Sequence, residues 1–122
     1  MSVEPKYYDK KLIFVCSPFA GDTETNIVNA RRYCEYVFDH GAVPFAPHLY
    51  FPQFLDDNDE EQRKTGIGAG IAILAQCDEL WAFGDKLTEG MRLELKIADG
   101  LGIPMRFFND DCEGGFCLDD LR

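Results

Sequence analysis

Asp78–Phe108, DELWAFGDKLTEGMRLELKIADGLGIPMRFF, decides the fold. Its two ends, DELWAF and IPMRFF, are short apolar runs bounded by turn residues, which is the pattern of buried strands. Between them Met91, Leu95, Ala98 and Leu101 recur at helical spacing, and the pattern stops at Gly102, a residue suited to ending a helix. Two strands joined by a helix make a parallel pair, because a parallel neighbour is reached only by a long crossover. One residue disturbs the stripe. Glu94 lies three positions after Met91 and four before Ala98, so it shares their face, where an unpaired charge is costly to bury.

The same rhythm extends toward the amino terminus. Lys11–Cys16, KLIFVC, is a near-continuous apolar run bounded by Pro18 and Gly21 and reads as the central strand, buried on both faces. A helix is expected from about Thr23 to His40, with Ile27, Ala30, Tyr33 or Cys34, and Val37 or Phe38 inward and Gly41 as its cap. AVPFAP is a short second strand. HLYFPQFL, residues 48–55, reads as a loop because its prolines forbid a regular ladder, and loops of this length often carry function. A further helix should run from about Asp59 to Gln76, with a kink or break at Gly66, Gly68 and Gly70. The order βαβαβαβ predicts a single-domain α/β fold of the Rossmann-like or flavodoxin-like kind. It has three layers, α/β/α, around a parallel sheet of about four or five strands. Residues 1–10 form an N-terminal extension, 11–108 the domain, and 109–122 a C-terminal tail with one short helical turn.

Composition narrows the function. With 122 residues and 46% hydrophobic content the chain suits one domain with a real core. A net charge of -10 argues against DNA or RNA as a partner, since phosphate-backbone binding needs a basic face, but leaves a single nucleotide open. No apolar run is long enough to span a bilayer and the start has no signal-peptide core, so a cytoplasmic location without a membrane partner is expected. Five cysteines without a CxxC pair favour reduced thiols; Cys112 and Cys117 alone are close enough to suggest a bridge or half a metal site. The acidic run DDNDEE, Asp56–Glu61, lacks the DxDxDG spacing of a calcium loop and reads as a solvated lead into a helix. No metal or cofactor is expected.

In an open parallel sheet, ligands bind beyond the carboxyl ends of the strands. Two loops there have suitable chemistry. Ser17-Pro18-Phe19-Ala20-Gly21 follows the first strand, and Gly84–Gly90 follows the third, where Thr88 is placed to cap the helix and Gly90 lets a ligand approach the backbone. A helical side chain leans toward its own N-terminus, so Glu94 reaches back over Gly90 toward this gap. The alternative is a buried ion pair of Glu94 with Arg31, Arg32 or Arg92. Asp78, at the start of a strand, suits a structural cap, and His40 and His48 are assigned no chemistry.

LAQCDELWAFGDKLTEGMRLELKIADGLGIPM resembles the carboxyl half of the nucleoside 2-deoxyribosyltransferase superfamily, which includes deoxynucleoside monophosphate N-glycosidases and many uncharacterised, often phage-borne relatives. The resemblance rests on Cys77-Asp78, the strand, Thr88-x-Gly90, Glu94, Ala98 and Gly102-Ile103-Pro104, and more weakly on the first strand with SPFAG. It implies an enzyme acting on the N-glycosidic bond, with Glu94 as the nucleophile at the anomeric carbon of a 2-deoxyribosyl group. Thr88, Gly90 and the Met91 amide would then meet the ribose or phosphate, with Ser17, Pro18 and Gly21 opposite. It also implies a nucleoside or nucleotide as the small-molecule partner and a homodimer or larger assembly. Two positions depart from the family pattern. The ungapped match puts Gly70 where the family has an aspartate that protonates the leaving base, and Ser17 is one position out of register with the family's phosphate-binding serine. Asp56, Asp57, Asp59 or Glu60 could replace that acid. A nucleotide-binding protein without catalysis is the alternative, and a structural or interaction protein the third reading.

Overall fold

The computed structural model describes residues 9–117, and side chains as far as Gly115. Five strands form one sheet: β1 (Leu12–Cys16), β2 (Val43–Phe45), β3 (Glu79–Phe83), β4 (Met105–Phe108) and β5 (Gly114–Cys117). Their order is β2-β1-β3-β4-β5, parallel except for the antiparallel β4–β5 pair. This is the flavodoxin-like strand order, with the last strand reversed. The helices are α1 (Thr23–Asp39), the single turn α2 (Pro47–Tyr50), α3 (Glu60–Leu74) and α4 (Glu89–Gly100). None is long and apolar enough to cross a membrane among the described residues.

The central strands are buried on both faces because helices cover both, which accounts for their unbroken apolar runs. Alternation divides the core in two. Ile13 and Val15 of β1 join Trp81 and Phe83 of β3 against Tyr33 and Val37 of α1, where the Phe83 ring stacks on Tyr33 at 4.5 Å and on Phe108 at 4.7 Å. Phe14 and Cys16 face the other way, with Leu80 and Ala82, onto Leu74 of α3 and Met91 and Ala98 of α4. Gly41 and Gly102, with φ of +78° and +73°, end α1 and α4 in the left-handed region that glycine adopts without strain.

The amino ends of the strands are locked by acids. Asp78 accepts from the Leu12 amide at 2.7 Å while its own amide donates to the Leu12 carbonyl, tying β1 to the start of β3. The buried Glu79 accepts from Lys11 at 2.7 Å, from Arg106 at 3.0 Å and from the Trp81 indole at 3.0 Å. Burial acts to raise its pKa, but these donors prevail and hold it below the usual carboxylate value.

Three expectations need correction. Residues 48–55 are not an irregular loop: Pro47 at the first helical position starts α2, and Phe51–Gln53 adds a 3-10 turn. α3 runs unbroken through its three glycines, started by Asp59, whose side chain accepts from the Glu61 and Gln62 amides. The segment after β4 holds a strand, not a helical turn. Asn109–Glu113 turns back, and β5 pairs with β4 through Phe107 opposite Phe116. Most of the expected 1–10 extension and the end of the tail, residues 118–122, lie outside the described residues, as does the Cys117 side chain; Cys112 is a free thiol.

Candidate active site

A cavity of about 240 Å³ opens at the carboxyl ends of β1, β2 and β3, between the loops that follow them and the inward faces of α3 and α4. Its wall is mostly apolar. Phe19 and Ala20 come from the β1–α1 loop, Pro47 and His48 from α2, Phe51 and Leu55 from the connection, Gly66 and Gly70 from α3, and Thr88 to Met91 and Glu94 from α4. Residues 62, 63, 66, 67, 70 and 71 share one stripe of α3, so Gly66 and Gly70 are where that helix leaves room. Three glycines weaken the helix, by ~1 kcal/mol each relative to alanine, and two of them shape the wall.

Glu94 is half-buried on this wall, and its Oε1 is closed off without a hydrogen-bond partner among the described residues. It makes no ion pair among the described residues. Arg31 and Arg32 belong to α1, across the sheet, where the Arg32 guanidinium lies 4.9 Å from the centre of the Tyr33 ring. Burial raises the Glu94 carboxyl to about 7 from the usual 4.5, and the neighbouring Cys16 thiol offsets only part of that rise. The Cys16 thiol also reaches the Met91 carbonyl, at 3.9 Å. Burial first, and then the adjacent Glu94, keeps Cys16 protonated. The contrast with Glu79 is direct: one acid has three donors and titrates low, the other borders a cavity and titrates near neutrality.

The structure brings Thr88, Gly90, Met91 and Glu94 together on the cavity wall, but not Ser17, Pro18 or Gly21. Ser17 is buried in the interior, its Oγ without a partner among the described residues, Pro18 packs toward Gly84, and Gly21 is exposed at φ +98°. Phe19 and Ala20 reach the cavity in their place. Their carbonyls are turned back to accept from the Asn26 amide group, at 2.8 and 3.3 Å. The Met91 amide is not free for a ligand, because it donates to Thr88 Oγ1 at 3.2 Å in the N-cap of α4. Of the acidic run, Asp57 lines the cavity, whereas Asp56 and Asp59 accept from nearby amides and Glu60 pairs with Lys64.

Sequence reasoning passed over His48. Its Nε2 meets the Ser17 carbonyl at 2.9 Å and its ring stacks on Phe19 at 4.8 Å. A carbonyl only accepts, so Nε2 carries the proton, and Nδ1 has no hydrogen-bond partner among the described residues. Burial lowers the His48 pKa, outweighing the Ser17 carbonyl and the Asp57 charge, which raise it. The available signal was its place after a parallel strand, next to a proline that starts a helix.

The family model of a domain of unknown function, DUF7768, matches residues 11–108. The chain belongs to the DUF7768 family. No curated protein matches it. Among solved structures, this DUF7768 chain is similar to a 2-deoxyribosyltransferase from the psychrotolerant bacterium Bacillus psychrosaccharolyticus. The TM-score is 0.63 and the identity 21%, over 80% of this chain and 72% of that one. At that identity the likeness is one of fold.

The raised Glu94 pKa has a stability signature in this DUF7768 protein. A folded-state pKa of about 7 against 4.5 means that protonated Glu94 contributes stability present in full below pH 4.5 and lost as pH rises through about 7. At ~1.4 kcal/mol per pKa unit the ceiling is near 3 kcal/mol, and the open side of the cavity reduces this to the order of 1–2 kcal/mol. Glu94→Gln is therefore expected to melt several degrees above the parent at pH 8 and together with it at pH 4. Thermal unfolding of both proteins across that range checks this; a variant less stable than the parent at pH 8 would show that the carboxylate is held by a favourable contact.

Proposed function

We propose that this protein is a nucleoside or nucleotide N-glycosidase or 2-deoxyribosyltransferase-like enzyme, with Glu94 as its nucleophile. The observation that carries the reading is Glu94 itself, a carboxylate without an ion partner among the described residues, on the wall of a mostly apolar cavity at the carboxyl ends of parallel strands. Desolvation strips the water that would otherwise blunt such a nucleophile, and an ionised Glu94 beside a sugar favours an oxocarbenium-like transition state before it bonds to the anomeric carbon. Gly90 adds no side chain between Glu94 and the cavity mouth, and Thr88 holds the first turn of α4 in place. The shared fold of the 2-deoxyribosyltransferase supports the same reading. By resemblance the enzyme works as a homodimer or larger assembly.

A second reading draws on Gly70. A carboxyl on this part of the wall would assist the leaving base, and glycine offers none, so a binding protein that retains the pocket without turnover is the alternative. Both readings expect a ligand. At about a hundred times its dissociation constant a nucleoside or nucleotide adds ~2.7 kcal/mol of stability, which a thermal-shift screen registers as a clear rise in Tm. The parent protein should respond to deoxynucleosides or their monophosphates and not to DNA or RNA. No response to any of them at millimolar concentration would remove both readings, while a response without base release, followed by mass spectrometry, would select the second.

A further inference from the structure

Position 70 is bare, and the wall beside it is not. A Cβ on Gly70 would meet only the Pro47 Cβ, at 4.0 Å, and His48 follows Pro47 in the same single turn. Both Gly70 and His48 line the cavity that Glu94 borders. The ring is fixed on two sides, by the stack on Phe19 and by Nε2 donating to the Ser17 carbonyl, which leaves Nδ1 as the nitrogen available for chemistry. A base in a mostly apolar wall, held in one tautomer, has the attributes of a proton-transfer group.

We propose that His48 is the catalytic proton-transfer residue of this site, standing in for the carboxylic acid that Gly70 lacks. This rests on the glycosidase reading above. In the first step a Glu94 oxygen bonds to the anomeric carbon and the bond from that carbon to the base nitrogen breaks; its electron pair goes to the base, which receives the Nδ1 proton of the His48 imidazolium. In the second, a water oxygen bonds to the anomeric carbon, the Glu94 ester bond breaks and returns its electron pair to the carboxylate, and the water proton passes to His48 Nδ1. Base and free deoxyribose leave, and both residues are restored.

The charged and titratable groups sharing this wall are Asp57 from the loop before α3, Arg63 from α3, and Glu89 and Glu94 from α4. Because burial lowers His48 while it raises Glu94 to about 7, the working pair, carboxylate with imidazolium, is a minor form of the singly protonated site. Its population peaks between the two titrations, so kcat/KM should be bell-shaped in pH.

The test measures base release from 2′-deoxynucleosides and their 5′-monophosphates by the full chain and by His48→Gln, whose amide still offers a donor to the Ser17 carbonyl. The variant should lose at least about a hundredfold in kcat/KM, and its alkaline limb should vanish, leaving a single rise through about 7 as Glu94 ionises. With 7-methyl-2′-deoxyguanosine, whose base already carries a positive charge and leaves unprotonated, the initial burst of base from the variant should match the parent. Imidazole should restore activity to His48→Ala. A variant with parental rates, an unchanged bell, or an equal loss on the methylated substrate would overturn the assignment and leave the glycosidase reading intact. A parent that releases no base from any of these substrates would overturn both.

Discussion

Glu94→Gln is expected to bring base release to background, a loss of at least about a thousandfold, or ~4 kcal/mol of barrier. The amide keeps the shape of the side chain but is too weak a nucleophile to bond to the anomeric carbon. The fold should survive. Glu94 has no ion partner to lose among the described residues, and the neutral amide removes the cost of an ionised group in a half-buried position. Ligand binding should survive as well, because the rest of the wall is unaltered, so a thermal-shift response to nucleosides together with absent turnover is the expected pair of results. The parent's rate should fall on both sides of its maximum between the His48 and Glu94 titrations, whereas the variant has no carboxylate to titrate. Turnover by the variant at the parental rate would end the nucleophile assignment. An unfolded variant would mean that Glu94 holds the structure through its contact with Cys16.

The parallel sheet was legible because its signals are local and repeated: buried runs at Leu12–Cys16 and Glu79–Phe83, each followed by a helix-spaced segment. The face that Glu94 occupies was legible for the same reason, since intervals of three and four residues fix a helix face whatever surrounds it. What lies opposite that face depends on long-range packing. Nothing local says that Phe19 and Ala20, rather than Ser17 and Gly21, turn toward the cavity; the Asn26 side chain and the contact of Pro18 with the Gly84 turn decide it. The unbroken α3 shows propensity overridden by context. Gly66 and Gly70 are poor helix formers, but an Asp59 cap starts the helix, and the close approach of Leu55, 3.3 Å from where a Cβ would stand, suits Gly66. β5 escaped notice because Gly114 and Gly115 look like a tail, yet their positive φ values shape an irregular antiparallel return to β4. His48 was overlooked because a lone histidine has no spacing to betray it.

Gly70→Asp is expected to raise the rate of base release at least tenfold, about 1.4 kcal/mol of barrier, provided that Glu94 is intact. Space permits it: Gly70 has ordinary helical φ, its added Cβ would meet only Pro47 at 4.0 Å, and the position opens onto the cavity. Aspartate is no worse than glycine in a helix interior, so the cost is one of desolvation rather than backbone strain. Desolvation also favours the function, because a carboxyl in this wall near an ionised Glu94 has its pKa pushed up and keeps the proton it must deliver. A gain follows because the acid contributes in proportion to its protonated fraction at the working pH, and the buried His48 supplies imidazolium only as a minor form. The decisive background is His48→Gln, where no imidazole competes and the new carboxyl should recover most of the lost rate. The Gly70→Asp/Glu94→Gln double variant should remain at background. Measuring base release by the parent and these variants, each checked for a cooperative melt, separates the outcomes. A well-folded Gly70→Asp without gain in either background would mean that protonation of the leaving base does not limit the proposed reaction, or that the pocket takes a ligand other than a deoxynucleoside.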